Sequence, residues 1–153
     1  MVIVNMTHDH LDAVYALETR SFPIPWSKNE LRRELSNPNA IYKVALIKNK
    51  EYPNDLTLAG YAGMWHIVNE GQITNIAVDT NFRGMGIGSL LIDSLVAYAK
   101  SKQMIGLTLE VRISNTIAQK LYHKHGFKPE GIRKRYYADT GEDAIIMWKY
   151  FEV

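Results

Sequence analysis

Two hydrophobic periods alternate along this chain of 153 residues. Segments in which apolar residues recur at every third or fourth position predict helices, and segments in which every second residue is apolar predict strands. Helical spacing follows Thr7, Ser27, Ser89 and Asn115. Strand-like segments occur at residues 2–5, 41–48, 57–68, 72–78 and 106–112, with two more within residues 131–151.

The first two predicted helices are separated by the segment FPIPWS, in which two prolines close together exclude a continuous helix. Thr7 is expected to cap the first helix, which then extends to about Arg20. Ser27 and Glu30 form a capping box, Ser-x-x-Glu, and predict the start of the second helix. Helical spacing within the first helix is shown by Leu11, Val14, Tyr15 and Glu18.

The resulting order of elements is β-α-α-β-β-β-α-β-α-β-β. Because hairpins and helical crossovers both occur in it, this order predicts a mixed α/β (α+β) fold. We expect a mostly antiparallel sheet of six to seven strands with about four helices on its two faces. The sequence contains no repeat, low-complexity tract or linker, so residues 1–153 are expected to form a single domain.

Composition and charge limit the classes of function. The hydrophobic fraction of 46% and the charged fraction of 22% are ordinary for a soluble globular protein. A formal net charge of +2 is too small to indicate nucleic-acid binding, which requires a concentrated basic surface. The absence of cysteine excludes disulfides and a cysteine nucleophile. Without a signal peptide or an apolar span, we expect a cytoplasmic protein with no membrane partner and a monomer as the default.

Histidines are the remaining candidates for metal ligands. His8 and His10 are two positions apart, as are His123 and His125, whereas ligands on one helix face stand three or four positions apart. No carboxylate completes either pair into a metal site. We therefore expect no bound metal.

The segment RGMGIGS, residues 83–89, places three glycines directly before a predicted helix. A nucleoside triphosphate loop requires a lysine after its last glycine, and Ser89 occupies that position. A dinucleotide fingerprint requires a third glycine where Ser89 stands, and it follows the first strand of its unit. The spacing Arg83-x-x-Gly86-x-Gly88 instead fits a pyrophosphate-binding loop. These residues alone leave open a tight turn that serves only packing.

This loop lies within the first of three longer segments, which are TNIAVDTNFRGMGIGSLLI, LTLEVRISNTIAQKLYHKHGFKPEGIRKRYY and GEDAIIMWK. Together with FPIPWS they closely resemble the RimI-type branch of the GNAT acetyltransferase superfamily over nearly the whole chain. The resemblance implies the GNAT fold and the transfer of an acetyl group from acetyl-CoA to a protein N-terminal α-amine. In this branch the expected acceptor is the N-terminal alanine of the eighteenth small-subunit ribosomal protein.

The resemblance also implies two catalytic side chains. Glu110, in the strand LTLEVR, matches the general base, which acts directly or through a water. Without the resemblance, the favoured explanation is a strand-end glutamate that pairs with Arg112 or faces solvent. Tyr122 matches the acid that protonates the CoA thiolate, and its structural alternative is an aromatic residue on the buried face of a helix.

Binding residues are implied in the same way. The Val78 N–H matches the donor to the tetrahedral oxyanion, and Asn115 matches a residue that hydrogen-bonds the cofactor while it also caps a helix. The expected acetyl-CoA-binding residues are Ile76, Ala77, Val78, Arg83, Gly84, Met85, Gly86, Ile87, Gly88, Ser89 and Asn115. The expected peptide-binding residues, for which simple packing is the alternative, are Pro25, Trp26, Tyr136 and Tyr137.

Several other functions remain compatible with these residues. The nearest are an N-terminal acetyltransferase of broader specificity and an enzyme that acetylates lysine or small amines. A non-catalytic acyl-CoA-binding module on the same fold is a third, although the presence of both Glu110 and Tyr122 disfavours it. A nucleotide-binding module built on the glycine turn is a fourth.

Overall fold

Seven strands and four α-helices make up the computed structural model, which describes residues 1–52 and 54–152. Their order along the chain is the predicted order. The elements are β1 (Val2–Asn5), α1 (Leu11–Ser21), α2 (Lys28–Leu35), β2 (Ala40–Lys48), β3 (Leu56–Ile67), β4 (Glu70–Val78), α3 (Ile87–Ser101), β5 (Gly106–Arg112), α4 (Thr116–Lys124), β6 (Lys128–Arg133) and β7 (Ala144–Tyr150). Short 3₁₀ turns lie at His8–His10 and Thr80–Phe82. Over the same residues, no helix has the length and apolar character that crossing a membrane requires.

The strands form one sheet in the order β1-β2-β3-β4-β5-β7-β6. Every neighbouring pair is antiparallel except β4 and β5. Parallel neighbours need a crossover connection, and α3 supplies it between these two strands. The prediction of a mixed, mostly antiparallel sheet is therefore confirmed.

The parallel pairing of β4 with β5 is short. Its register includes only the pairs Glu70–Gly106, Gly71–Leu107 and Gln72–Thr108. Beyond these pairs, β4 continues to Val78 and β5 to Arg112. The β3–β4 register also shifts, because Gly63 faces Asn75 whereas Met64 faces Ile73. The extra residue, Thr74, forms a bulge at which β4 bends, and a gap opens between the later parts of β4 and β5.

Two hydrophobic cores cover the two faces of the sheet. One contains Leu91 and Leu95 of α3, and the other contains Val14 and Leu17 of α1. Successive side chains of a strand point to opposite faces, so Ala45 belongs to the first core while its neighbours Val44 and Leu46 belong to the second. Each fully buried leucine contributes about 1.5–3 kcal/mol to stability. Helices therefore pack on both faces, as predicted.

The first predicted helix differs in detail from the structure. A 3₁₀ turn follows Thr7, and α1 itself begins at Leu11. Tyr15, one of the four residues at helical spacing, is 37% exposed, whereas Leu17 is 1% exposed. Consecutive helical residues are rotated by about 100°, so Tyr15 lies at the edge of a face that Val14, Leu17 and Glu18 occupy. The capping box of Ser27 and Glu30 at α2 is confirmed.

Candidate active site

The gap between β4 and β5 exposes backbone groups of β4. The Asp79 N–H donates to the Ala59 carbonyl oxygen of β3 at 2.8 Å. Because N–H groups alternate in direction along a strand, those of Val78 and Ile76 point away from β3 and towards the gap. Ala77, between them, is paired with Tyr61 of β3. The end of β4 thus offers two backbone N–H donors along its edge, where β5 no longer pairs with it.

The glycine turn leads from β4 into α3 by way of two left-handed residues. Gly84 has φ of 81° and Gly86 has φ of 76°, and Gly86 is the N-cap of α3. A side chain at these positions is strained, which explains two of the glycines. A Cβ atom on either would meet no protein atom within 4 Å, so the space above both is open. The unpaired N–H groups of the first turn of α3 face an accessible surface.

Gly88 serves a different purpose. A Cβ atom at this position would lie 3.2 Å from Cδ2 of Leu121 in α4 and 3.8 Å from Cγ2 of Val78. Its lack of a side chain lets α3 approach α4 and the end of β4. Of the two interpretations of the glycine turn, packing therefore applies to Gly88, whereas backbone conformation and access apply to Gly84 and Gly86.

Ser89 connects the glycine turn to the end of α4. Its Oγ atom is 2.9 Å from Nε2 of His125, and Nδ1 of the same ring is 3.4 Å from an Asp93 carboxylate oxygen. Lys149 of β7 donates to the His125 carbonyl oxygen at 2.7 Å. The position of His125 is thus explained by its contacts with Ser89, Asp93 and Lys149. Within residues 1–52 and 54–152, no three His, Asp or Glu side chains are arranged to hold a metal ion.

Glu110 lies on β5 beyond the last residue paired with β4. Its side chain is 15% exposed, and its Oε1 atom accepts a hydrogen bond from Nε of Arg133 at 3.0 Å. The alternative of a pair with Arg112 is wrong. Arg112 binds both carboxylate oxygens of Asp139 and contacts Glu142 at 3.0 Å instead.

Tyr122 lies on α4 with its ring edge-on to Phe127, at a centroid distance of 5.8 Å. Burial raises the pKa of Tyr122 well above its ordinary value, and Tyr137 raises it further. Tyr137 is half-buried in the β6–β7 connection, and burial raises its own pKa to about 12 although Arg112 lowers it. Glu110 also raises the pKa of Tyr137. Phenol groups with raised pKa values stay protonated at neutral pH.

The β6–β7 connection, residues 134–143, is held by Arg112. The guanidinium carbon lies 4.0 Å from the centre of the Tyr137 ring, and its nitrogens bind Asp139. This pairing holds the pKa of Asp139 below its usual value. Tyr136 packs edge-on against Tyr137 at 5.1 Å and is 49% exposed. Arg112 thus holds the Tyr137 ring in place, while the Tyr136 side chain faces solvent.

The α1–α2 connection contains the other two predicted peptide-binding residues. The Trp26 ring lies 6.1 Å from the Trp65 ring and packs against the core beneath α1 and α2. Pro25 is half-buried beside it. The backbone N–H of Trp26 donates to Oε2 of Glu18 at 2.9 Å. Packing therefore accounts for part of the position of Trp26.

Two residues of the predicted cofactor set lie at the edge of the site. Asn115 is exposed at the N-cap of α4, and its Oδ1 atom accepts from the Ala118 N–H at 3.1 Å. The capping role of Asn115 is confirmed, and its amide nitrogen points away from this bond. Arg83 is exposed beside Gly84. The backbone N–H of Asn81 holds the pKa of Asp79 below its usual value, and the charges of Arg20 and Arg83 lower it further.

Comparison with known proteins identifies the family. Residues 11–127 match the model of the acetyltransferase (GNAT) family. The chain belongs to that family. It is 46% identical to a Bacillus subtilis protein with the provisional name ribosomal protein bS18-alanine N-acetyltransferase, over 94% of this chain and 91% of that protein.

Two solved structures place this GNAT chain among its relatives. The Escherichia coli ribosomal-protein-S18-alanine N-acetyltransferase superposes with a TM-score of 0.86 at 30% identity, covering 99% of this chain and 94% of that one. A Bacillus anthracis protein, provisionally named streptothricin acetyltransferase and solved with acetyl coenzyme A, has a TM-score of 0.78 at 25% identity, with 99% and 98% covered. The expected family, GNAT fold and acetyl-CoA-dependent N-acetyltransferase class are confirmed.

Two contacts of this GNAT enzyme were not found from the sequence. Arg133 binds Glu110, and His125 binds Ser89. Arg133 belongs to the basic run IRKRYY, which gives no indication that one of its members faces β5. His125 resembles any histidine near a helix C-terminus, where a basic residue is common. Both contacts join elements that are distant in sequence.

Proposed function

We propose that this GNAT enzyme transfers the acetyl group of acetyl-CoA to a protein N-terminal α-amine, with the alanine of ribosomal protein bS18 as acceptor. The names of its B. subtilis and E. coli relatives support this acceptor. The most direct support in the structure is the position of Glu110 on β5, beyond the last residue pair that joins β5 to β4. It places a carboxylate beside the gap in the sheet.

Acetyl-CoA supplies a thioester and a diphosphate. The N–H groups from Gly84 to Ser89 suit the diphosphate, because the start of a helix carries unpaired donors and partial positive charge. The Ser89 hydroxyl and the Arg83 guanidinium add a donor and a charge there. The strand Ile76–Val78 borders the gap, where its free amides suit the rest of the cofactor and the Val78 N–H suits the developing oxyanion.

Glu110 is proposed as the general base. Arg133 binds its Oε1 atom, whereas Oε2 has no hydrogen-bond partner among the described side chains. That oxygen is available to take a proton from the amine, directly or through a water. The nitrogen of a neutral amine loses this proton as it forms a bond to the thioester carbon, and the C–S bond breaks. Because the chain contains no cysteine, no acetyl-cysteine intermediate can form.

Tyr122 is proposed as the general acid. The departing thiolate takes the phenol proton of Tyr122, and the proton held by Glu110 returns through solvent to the phenolate, which completes the proton balance of the reaction. A thiol pKa of about 8.5 lies below a phenol pKa of about 10, so this transfer is uphill and depends on close positioning. The raised pKa of Tyr122 makes it more uphill but guarantees that the proton is present.

An N-terminal amine suits a single carboxylate base better than lysine does. An α-amine with a pKa of about 8 is roughly one-tenth neutral at pH 7. A lysine with a pKa of about 10.4 is neutral in fewer than about one molecule in a thousand. Trp26 and Pro25 of the α1–α2 connection and Tyr136 and Tyr137 of the β6–β7 connection are proposed to bind the peptide.

A peptide panel tests the acceptor. We expect acetylation of a peptide with the bS18 N-terminal sequence, slower acetylation of peptides that begin with Ser or Met, and none of a peptide with a blocked terminus and a free lysine. Mass spectrometry locates the added acetyl group. Activity on the lysine peptide alone would contradict the proposal. Equal rates on all free termini would indicate broad specificity, and tight CoA binding without turnover would indicate a binding module.

Gly86→Ala tests the glycine turn. We expect the KM for acetyl-CoA to rise about tenfold, since a left-handed alanine costs about 1–2 kcal/mol and its Cβ enters the open space above the turn. Gly141→Ala is the matched control, because Gly141 has φ of 73° and no atom within 4 Å of the added Cβ. Its KM for acetyl-CoA should be unchanged, although both variants should lose similar thermal stability. Equal KM values for acetyl-CoA in the two variants would show that the diphosphate does not bind at the glycine turn.

A further inference from the structure

Glu18 is a carboxylate in the core of the protein. It lies in the last turn of α1 and is 1% exposed. Its neighbours on the inner face of that helix are Val14 and Leu17, which are equally buried. A carboxylate in such surroundings is costly unless donors surround it. Burial raises the pKa of Glu18, and its hydrogen-bond donors partly offset that effect.

The two oxygens of Glu18 bind different parts of the molecule. Oε2 accepts the backbone N–H of Trp26, in the α1–α2 connection, at 2.9 Å. Oε1 accepts the Tyr61 hydroxyl of β3 and the side-chain amide of Asn75 in β4, the latter at 3.1 Å. One oxygen therefore holds a loop, while the other is anchored to the centre of the sheet.

The anchored side continues to the bend in β4. The Tyr42 hydroxyl lies 3.4 Å from Oδ1 of Asn75 and 3.2 Å from the hydroxyl of Thr74. Thr74 is the bulge residue, and Asn75 directly precedes Ile76. The network thus extends from the backbone of Trp26 to the point at which β4 separates from β5.

We propose that Glu18 is a positioning residue that fixes the α1–α2 connection relative to the β4 strand, and thereby the acceptor peptide relative to the thioester. This inference rests on the proposed function, in which Trp26 contacts the peptide and Ile76–Val78 border acetyl-CoA. The β4 strand is also held by its ladder to β3, so loss of Glu18 releases the loop and leaves the strand in place.

Three substitutions of Glu18 separate the roles of its two oxygens. Glu18→Met keeps most of the volume and removes both acceptors. Glu18→Asp keeps the charge but is shorter, and the side chains of Tyr61 and Asn75 can follow it more easily than the backbone of Trp26. Glu18→Gln keeps one carbonyl oxygen for the Trp26 N–H, because a hydroxyl and a reoriented amide can accept from its NH₂ group.

Tyr61→Phe is the matched structural control. It removes a donor to the same carboxylate without changing the contact between Glu18 and Trp26. If the network contributes only stability, Tyr61→Phe and Glu18→Met should both lower the melting temperature and leave the KM values alone. A positioning role requires that changes at Glu18 raise the KM for the acceptor far more than Tyr61→Phe does, because Asn75 still anchors Oε1 in that variant.

Steady-state kinetics of these variants test the inference. We expect Glu18→Met and Glu18→Asp to raise the KM for the acceptor about tenfold, with the KM for acetyl-CoA within about twofold of wild type. Glu18→Gln should have a KM for the acceptor close to that of wild type, and Tyr61→Phe should leave the acceptor KM unchanged. If Glu18→Met does not fold, Glu18→Asp decides. Parallel increases in both KM values, or a fall in melting temperature without any KM change, would overturn the inference.

The acceptor in these assays is whichever amine the wild-type enzyme acetylates best in the peptide panel. Failure of bS18 as the substrate therefore changes the peptide that is used and leaves the comparison intact. Normal binding of acetyl-CoA confirms in each case that a variant is folded.

Discussion

Replacing Glu110 by glutamine is expected to lower kcat by about 100- to 1,000-fold, the range in which loss of a general base falls. Glutamine has nearly the same shape and still offers a carbonyl oxygen to Nε of Arg133, which lies 3.0 Å from Oε1 in the wild type. It cannot take a proton from the attacking amine. Steady-state rates at saturating acetyl-CoA and peptide measure the effect, and both KM values should change by less than about threefold.

Glu130→Gln is the control for this substitution. Glu130 is exposed on β6 and accepts a hydrogen bond from the Tyr150 hydroxyl, away from the gap between β4 and β5. It should leave kcat at the wild-type value. A Glu110→Gln enzyme with kcat within about threefold of wild type would show that Glu110 is not the base. A glutamate paired with Arg133 for structural reasons would then be the better interpretation.

Tyr122→Phe is expected to lower kcat by about 100-fold, again within the range for proton transfer. Phenylalanine keeps the edge-on packing against Phe127, so the substitution removes little besides the hydroxyl. The loss should persist across neutral pH, because the raised pKa of Tyr122 keeps the wild-type phenol protonated throughout that range. Rates measured between pH 6 and 9 at saturating substrates test this expectation.

Tyr150→Phe provides the comparison for Tyr122. Its side chain is 56% exposed at the end of β7, and removal of its hydroxyl should leave kcat unchanged. If Tyr122→Phe retains more than about half of the wild-type kcat, water rather than Tyr122 protonates the thiolate. A change confined to the KM for acetyl-CoA would point to cofactor binding by the tyrosine.

The features that the sequence predicts correctly are local. The capping box of Ser27 and Glu30 and the cap at Asn115 involve residues three positions apart, so their geometry is set within one turn. The order of strands and helices follows from periods that extend over a few residues. Family resemblance supplied the candidate roles of Glu110 and Tyr122, which their local surroundings do not reveal.

The features that the sequence does not predict depend on the order of strands in space. Glu110 meets Arg133 because β5 and β6 both lie beside β7, an arrangement that no local pattern encodes. The contact between Ser89 and His125 requires the docking of α4 on the start of α3. Gly84 and Gly88 look equivalent in the sequence, and only the close approach of Leu121 distinguishes their roles.

The short contact between β4 and β5 also bears on how the molecule folds and opens. It divides the sheet into two groups of strands, and each group comes from one continuous part of the chain, before and after residue 104. Each part can build its own strand pairs locally. Only three residue pairs then join their strands, although α3 and a shared hydrophobic core also contact both parts. The joint is thus suited to partial opening, which hydrogen exchange detects. A ligand that spans the gap contacts both parts, so we expect acetyl-CoA, if it binds there as proposed, to hold the two halves of the chain together.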